Sequence, residues 1–413
     1  MNINNFIDEY LATIKGMGGD KRFMELRAER LMGIDFYQGY QEYYVRKKYE
    51  NIKNITIVTD NFTRRVVQEW SMVYKQSPKY SSEKLLGIFP NRINALKSCE
   101  RYRNLLGMVL VRPLVDNGKG YHDVIMDFMP FFDYNEVSGE PVAYAYPYTN
   151  GNYNIWTNDE IVIFDFEGNI QERRRNDFGF MPFVPAFVEW GEWEHSGMND
   201  VVRSNLVYNE GLTNLHHAHY FQSFKIPYVI SESSLHNFNI DLDVSKPIVI
   251  ENASGVNIGM LDNEANFTQS IEVLRYTLDR TLSNYHMRAD FDESGNPSSG
   301  FSIIARKSGL LEAREGMIPG WQTFEKELYE LEKKICSMNG ISLEKEHIIE
   351  FKPVEMIKDQ AEIRAHWDWL IANGYKRPID YMIEEMGMTE EEAKKQIGEA
   401  GGEFVSALKT PVE

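Results

Sequence analysis

Residues 267–303 read FTQSIEVLRYTLDRTLSNYHMRADFDESGNPSSGFSI. Phe267, Ile271, Leu274, Leu278, Leu282 and Tyr285 recur every three or four residues, the spacing that puts side chains on one face of a helix. The stripe predicts a helix over 266–287. From Ala289 to Gly300 one aromatic side chain stands among acidic, small and turn-forming ones, which cannot bury a face and therefore predict a mobile loop. Helical periodicity resumes over 301–339, with Phe324, Leu328, Leu331 and Ile335 in register. Pro319 lacks an N–H and its ring meets the carbonyl of Glu315, which predicts a kink near Gly316–Gly320.

Upstream, Val201, Asn205, Tyr208, Leu212, Leu215 and His219 predict a helix over 198–224, capped by Ser196 and stopped before Pro227. Between the two helices, Tyr228-Val229-Ile230 and Ile248-Val249-Ile250 are short strand-like runs broken by Asn, Asp, Ser and Gly, the pattern of a small β module at 226–262. Over 112–190 the period is two, as in Ile161, Ile163 and Asp165 against Val162, Phe164 and Phe166, with a turn at Glu167-Gly168-Asn169. An antiparallel sheet region follows from this. Residues 1–111 read as helical, with Ile3, Phe6, Ile7, Tyr10, Leu11 and Ile14 on one face. Downstream, 347–354 reads as a strand and 359–400 as two short helices divided at Asn373-Gly374, with Thr389 and Glu392 as a capping box and a frayed tail after Gly401. The fold class is α+β.

The chain has 413 residues, and 62 Asp plus Glu against 44 Lys plus Arg leave a formal charge of -18. A protein that grips DNA by its phosphates needs clustered cations, so this field argues against a nucleic-acid grip. Two cysteines, Cys99 and Cys336, are too few for a disulfide framework, and the N-terminus lacks a basic start followed by an apolar core, so an intracellular, reducing origin is expected. The longest apolar runs, such as Met108–Val111, fall far short of the roughly 20 residues of a membrane span.

Motifs of chemistry are sparse. Gly16-Met17-Gly18-Gly19-Asp20-Lys21 has the wrong spacing for a phosphate-binding loop. His216, His217 and His219 cluster without an acid or Cys at ligand spacing, so an interhelical group outweighs a metal site. Asp241/Asp243 and Asp290/Asp292/Glu293 could hold a hard cation or do acid–base work, but turn residues in solvent are the simpler reading. No nucleophile elbow or zinc-protease helix is present. Arg173-Arg174-Arg175 reads as a solvated turn and Arg101/Arg103 as a subunit contact. Neither a catalytic site, a cofactor nor a metal is expected.

The order of parts resembles the portal proteins of tailed double-stranded DNA phages. Asn61-Phe62-Thr63-Arg64-Arg65-Val66-Val67 through Tyr74 and Pro78 is similar to the N-terminal helix of portals of the Gp6-like type, departing from it at Lys75-Gln76-Ser77. Met181-Pro182-Phe183-Val184-Pro185 resembles the strand that leads to the first stem helix. Asn205–Phe224 with Ile226-Pro227 resembles that helix and its exit into the clip, and Ser299-Gly300-Phe301-Ser302-Ile303 resembles the start of the long helix after the tunnel loop. On this resemblance 1–197 and 301–356 form the wing, 198–225 and 266–288 the stem, 226–265 the clip, 289–300 the tunnel loop and 357–413 a helical C-terminal crown.

The resemblance implies a non-enzymatic homo-oligomeric ring of about twelve subunits at one capsid vertex, assembled in the host bacterial cytoplasm and carried in the virion. Double-stranded DNA would pass through its channel during packaging and ejection, without sequence-specific binding. The ring would dock the terminase large subunit and a head–tail connector or adaptor protein, and meet the major capsid and scaffolding proteins; no membrane is involved. Asp290, Asp292, Glu293, Asn296 and Ser298 would then face the DNA. Ile271, Leu274, Leu278 and Leu282 would pack the stem across subunits, with Leu274→Asp expected to block assembly, and Tyr228, Ile230, Ile248 and Ile250 would build the clip. Twelve copies would carry a formal charge of about -216, a field that lets phosphates slide. A rival of another class is a carbohydrate-active hydrolase with paired carboxylates, suggested by the acidity, the 23 Tyr and the 7 Trp. A non-catalytic scaffold outside phage is a third.

Overall fold

The computed structural model describes residues 3–17, 21–52, 55–133, 139–189, 191–223, 226–231, 256–261, 267–288, 300–353, 360–384, 389 and 394. The chain divides into two compact units, Met1–Phe291 with Gly309–Lys352, and Asp292–Ser308 with Pro353–Glu413.

The first unit opens with six helices: α1 (Ile3–Lys15), α2 (Lys21–Gln38), α3 (Gln41–Lys48), α4 (Phe62–Trp70), α5 (Glu83–Ile88) and α6 (Arg92–Leu106). A two-residue strand β1 (Lys79–Tyr80) lies between α4 and α5. Local chemistry sets the starts: the Asn61 side chain accepts from Arg64 N at 2.9 Å at the head of α4, and Ser82 Oγ accepts from Leu85 N at 3.3 Å at the head of α5. α6 stops at Gly107, whose φ of +87° is open to glycine, and a Cβ there would collide with the His195 carbonyl.

The strands that follow are β2 (Met108–Asp116), β3 (Lys119–Ile125), β4 (Met129–Phe132), β5 (Pro141–Pro147), β6 (Tyr153–Trp156), β7 (Glu160–Phe164), β8 (Ile170–Arg175) and β9 (Val184–Phe187). They build two antiparallel sheets, ordered β3-β2-β9 and β4-β5-β6-β7-β8. Asn117 and Gly118 both take positive φ in the two-residue β2–β3 turn, the combination Asn-Gly supplies most readily.

The five-stranded sheet is covered on both faces. On one, Phe6, Ile7, Tyr10 and Leu11 of α1 pack on Phe131, Ala143, Ile155, Val162 and Phe164. On the other, Tyr144, Trp156 and Ile161 meet Met108, Leu110 and Phe187 of the smaller sheet and Phe183 just before its strand β9. That is why Ile161, Val162, Ile163 and Phe164 are all buried and the run reads apolar without a polar face. Each such side chain contributes roughly 2 kcal/mol by leaving water. The second face of β2, Val109 and Val111, enters the main core with Leu96, Leu105, Trp321, Phe324 and Leu328.

Then come α7 (Asn199–Ser223), the antiparallel pair β10 (Ile226–Ser231) and β11 (Val256–Leu261), α8 (Phe267–Ser283), the long helix α9 (Gly300–Met338) and β12 (Ile349–Glu350), which pairs with β1. α7 begins three residues after Ser196, so Ser196 is not its cap. α9 is one helix across Pro319. In the second unit, α10 (Gln360–Ala372) and α11 (Pro378–Glu384) are divided at Gly374, whose φ is +76°. Trp367 is buried against Tyr381, while Trp369 is exposed and stacks on Tyr375.

Candidate functional site

The paired helices α7 and α8 carry Ile271, Leu274, Leu278 and Leu282, the residues expected to pack between subunits. Leu278 and Leu282 lie in the main core with Val201, Val202 and Trp321, so these two serve the chain's own packing. Leu274 is half-buried and packs on Gly211 of α7, where a Cβ would come within 2.5 Å of its Cδ2. Ile271 is 39% exposed, and elsewhere around the same helix Val273 is 58% and Tyr276 65% exposed. Val207 on α7 is exposed as well, and an open groove of about 490 Å³ runs between Gly211, Ala218, Phe267, Ser270, Val273 and Leu274.

α7 is fixed by a stripe that periodicity of apolar residues did not reveal. Asn205, Asn209, Thr213 and His217 recur every four residues and bind the backbone of 56–63. Asn205 Oδ1 accepts from Thr63 N at 3.0 Å while its Nδ2 donates to Asp60 O at 2.8 Å. Asn209 Oδ1 accepts from Asp60 N at 2.8 Å, and Thr213 Oγ1 accepts from Val58 N at 3.1 Å. His217 Nε2 lies 3.1 Å from Thr56 N. These groups satisfy an extended segment that no strand pairs among the described residues. A polar i, i+4 repeat was the signal present in the sequence. His216 and His219 take part in ring contacts with His217 and Phe267, and no three metal-binding side chains converge among the described residues.

The strongest electrostatics lie between α6 and α9. Arg92, fully buried, binds Glu325 at 2.5 Å and Glu332 at 2.8 Å, and both acids are buried too. His122 Nε2 lies 2.6 Å from Glu332, and the Tyr74 and Tyr80 hydroxyls donate to Glu325 at 2.8 and 3.2 Å. Burial works to raise the Glu332 carboxyl, but Arg92 and His122 more than reverse it and hold it below the usual range. Nearby, burial pushes the Glu100 carboxyl up to about 7, even though it accepts from Val73 N and Tyr74 N at 2.8 and 3.0 Å. These ions clamp helix to helix. Cys99 and Cys336 are buried, and burial raises both thiols.

The other expected residues fall as follows. Tyr228 and Ile230 sit on β10, opposite Gly259 and Asn257 of β11. Ile248, Ile250, Asp290, Asp292, Glu293, Asn296 and Ser298 lie outside the described residues, as do Asp241 and Asp243. Arg173-Arg174-Arg175 is an exposed edge strand rather than a turn, because it pairs with β7. Arg103 is no subunit contact: it is buried, with Nε donating to Phe187 O at 2.6 Å. No helix among the described residues is long and apolar enough to cross a membrane.

No family model matches the chain, and no curated protein matches it. Among solved structures it is similar to a chain of the virion of a native gene transfer agent particle, at 8% identity and a TM-score of 0.43, over 79% of this chain and 89% of that one. It is also similar to a chain of the neck of the empty particle, computed with C6 symmetry, at 9% identity and 0.43 over 80% and 90%. A chain of the neck of the native particle, computed with C12 symmetry, gives 11% identity and 0.40 over 78% and 88%.

Proposed function

We propose that this chain is a portal protein: a ring of about a dozen copies that forms the DNA channel at one vertex of a phage-type capsid. The observation that carries the reading is the α7–β10–β11–α8 unit. Two helices packed on each other are bridged at one end by a strand pair, and the pair holds Val207, Ile271, Val273 and Tyr276 out of the subunit's core. The first helix, the strand pair and the second helix correspond in order to stem, clip and stem, and the long helix α9 follows 289–299 as it would follow a tunnel loop.

In that reading Val273 and Tyr276 meet the neighbour on one side and Ile271 the neighbour on the other, Leu274 closes the α7/α8 pair, and β10 and β11 belong to the clip. Asp290, Asp292, Glu293, Asn296 and Ser298 face the duplex, which the acidic field repels so that it slides. The terminase large subunit and a head–tail connector dock on the ring, while capsid and scaffolding proteins surround it.

Negative-stain microscopy with native mass of the purified chain tests this. Rings of about a dozen copies, with a hole that admits a duplex, are expected. Ile271→Asp with Tyr276→Glu, both at exposed positions, should leave the fold intact and abolish the ring, since unpaired charge would be buried at the contact. A chain that stays monomeric at every concentration, with and without scaffolding protein, overturns the proposal.

A further inference from the structure

The two ends of the five-stranded sheet carry opposite charge. At one end, β8 has β7 on one side and no strand on the other among the described residues. All six of its residues are exposed, among them Arg173, Arg174 and Arg175. Arg173 is held in a bidentate pair by Glu160 at 2.5 and 2.9 Å, which leaves Arg174, 3.6 Å from Glu172, and Arg175 as the outward cations.

At the other end, a cleft of about 690 Å³ opens along β4. Its floor includes the half-buried rings of Phe23, Phe132 and Trp193, and Trp193 is set by edge-on contacts with Phe132 at 5.5 Å and Phe187 at 4.8 Å. Its rim carries Glu9, Glu192 and Glu194, all exposed. Arg22 is the one basic side chain in the lining among the described residues and pairs with Glu194 at 2.6 Å, but both are well exposed, so that pair is weak and can be exchanged. Aromatic floor and acidic rim together suit a guanidinium, which stacks on rings and donates two N–H groups to a carboxylate in one plane.

We propose that the β4 cleft takes Arg174 and Arg175 of a second copy of this chain, so that copies join head to tail through the two ends of this sheet. The inference adds a contact to the ring proposed above and, as an interface between copies, rests on that reading. Within one chain the two patches cannot meet, because four strand spacings, roughly 19 Å, lie between β8 and β4. An edge-to-edge two-fold pairing is disfavoured, since it would set β8 against β8 with arginine on arginine, or cleft against cleft with glutamate on glutamate, and a reciprocal two-fold that joins both β8–cleft pairs would need two sheets face to face, where α1 and the smaller sheet already lie. Unlike ends attract and like ends repel, which leaves a heterologous contact, the kind that closes into rings or runs on as open chains.

The sides match as well. Arg174 lies opposite Ile161, on the sheet face that packs on the smaller sheet. Trp193 packs on that same face, between Glu192 and Glu194. Arg175 lies opposite Glu160, on the face covered by α1, which carries Glu9.

Sedimentation velocity and native mass at low and high salt test the contact, using Arg174→Glu with Arg175→Glu, Glu192→Arg with Glu194→Arg, an equal mixture of the two proteins, and the fourfold variant. Each pair of reversals alone should weaken association roughly a hundredfold, and the mixture and the fourfold variant should regain it. All four positions are exposed, so unchanged circular dichroism is expected of every protein. Rings that survive both single reversals overturn this inference and keep the ring. Rescue that yields only open chains keeps the inference and overturns the ring. Loss with the cleft reversal but not with the arginine reversal means that the cleft takes a different cation, and overturns the inference too.

Discussion

Replacing Arg92 with Met removes the guanidinium that bridges two buried acids. Its guanidinium binds Glu325 at 2.5 Å and Glu332 at 2.8 Å, and the three side chains are at most 1% exposed. A carboxylate stripped of its partner in such a place costs about 3–5 kcal/mol, and here two share the loss, so about 5 kcal/mol or more is expected at pH 8. Three donors soften this: Tyr74 and Tyr80 still reach Glu325, and His122 still reaches Glu332. The sign of the pH dependence changes at Glu332. In the native protein its carboxyl lies below the ordinary value, so its contribution is present above the unfolded pKa and is lost as pH falls through the folded one. Without Arg92, burial raises that carboxyl instead, so protonation favours the folded state and the damage grows with pH. Urea unfolding midpoints at pH 5 and pH 8 give the comparison. The variant should be much weaker at pH 8 and recover part of the loss at pH 5, and Glu325→Leu with Glu332→Leu should restore stability at both. A loss under about 1 kcal/mol, or one of equal size at the two pH values, refutes the idea that Arg92 neutralises buried charge.

Glu100, pushed up to about 7, holds a proton in the folded chain that the unfolded chain has released, so it contributes about 3 kcal/mol below pH 4.5 and loses this as pH rises through about 7. Glu100→Gln should flatten the fall in stability between those values, and a slope unchanged in pH-dependent melts counts against the assignment. Gly107→Ala adds a methyl at φ +87° against the His195 carbonyl and should cost roughly 3 kcal/mol or more in thermal unfolding, whereas Gly316→Ala, with open space around it, should be neutral or stabilising.

Local signals were legible where the reason is local. The 3.6-residue stripe from Phe267 to Tyr285 sets α8, and the turn chemistry of Glu167-Gly168-Asn169 and Asn373-Gly374 places breaks in the chain where the structure has them. Of that stripe, Leu278 and Leu282 lie in the chain's own core, because α9 and α7 reach them, and this depends on residues far away in sequence.

By itself, then, the sequence determined most of the helices and strands, though not the strands at 79–80 and 170–175, along with most of the turns between them and the acidic balance of the chain, all of which follow from near-neighbour sterics, periodicity and composition. Only the tertiary structure decided which face of each element is covered. It set Arg92 against acids 233 and 240 residues away and aligned Asn205, Asn209, Thr213 and His217 with the backbone of 56–63. It also placed three arginines at one end of a sheet and three glutamates at the other. The physical reason is that burial and Coulomb energy depend on distance in space, which no spacing along the chain encodes.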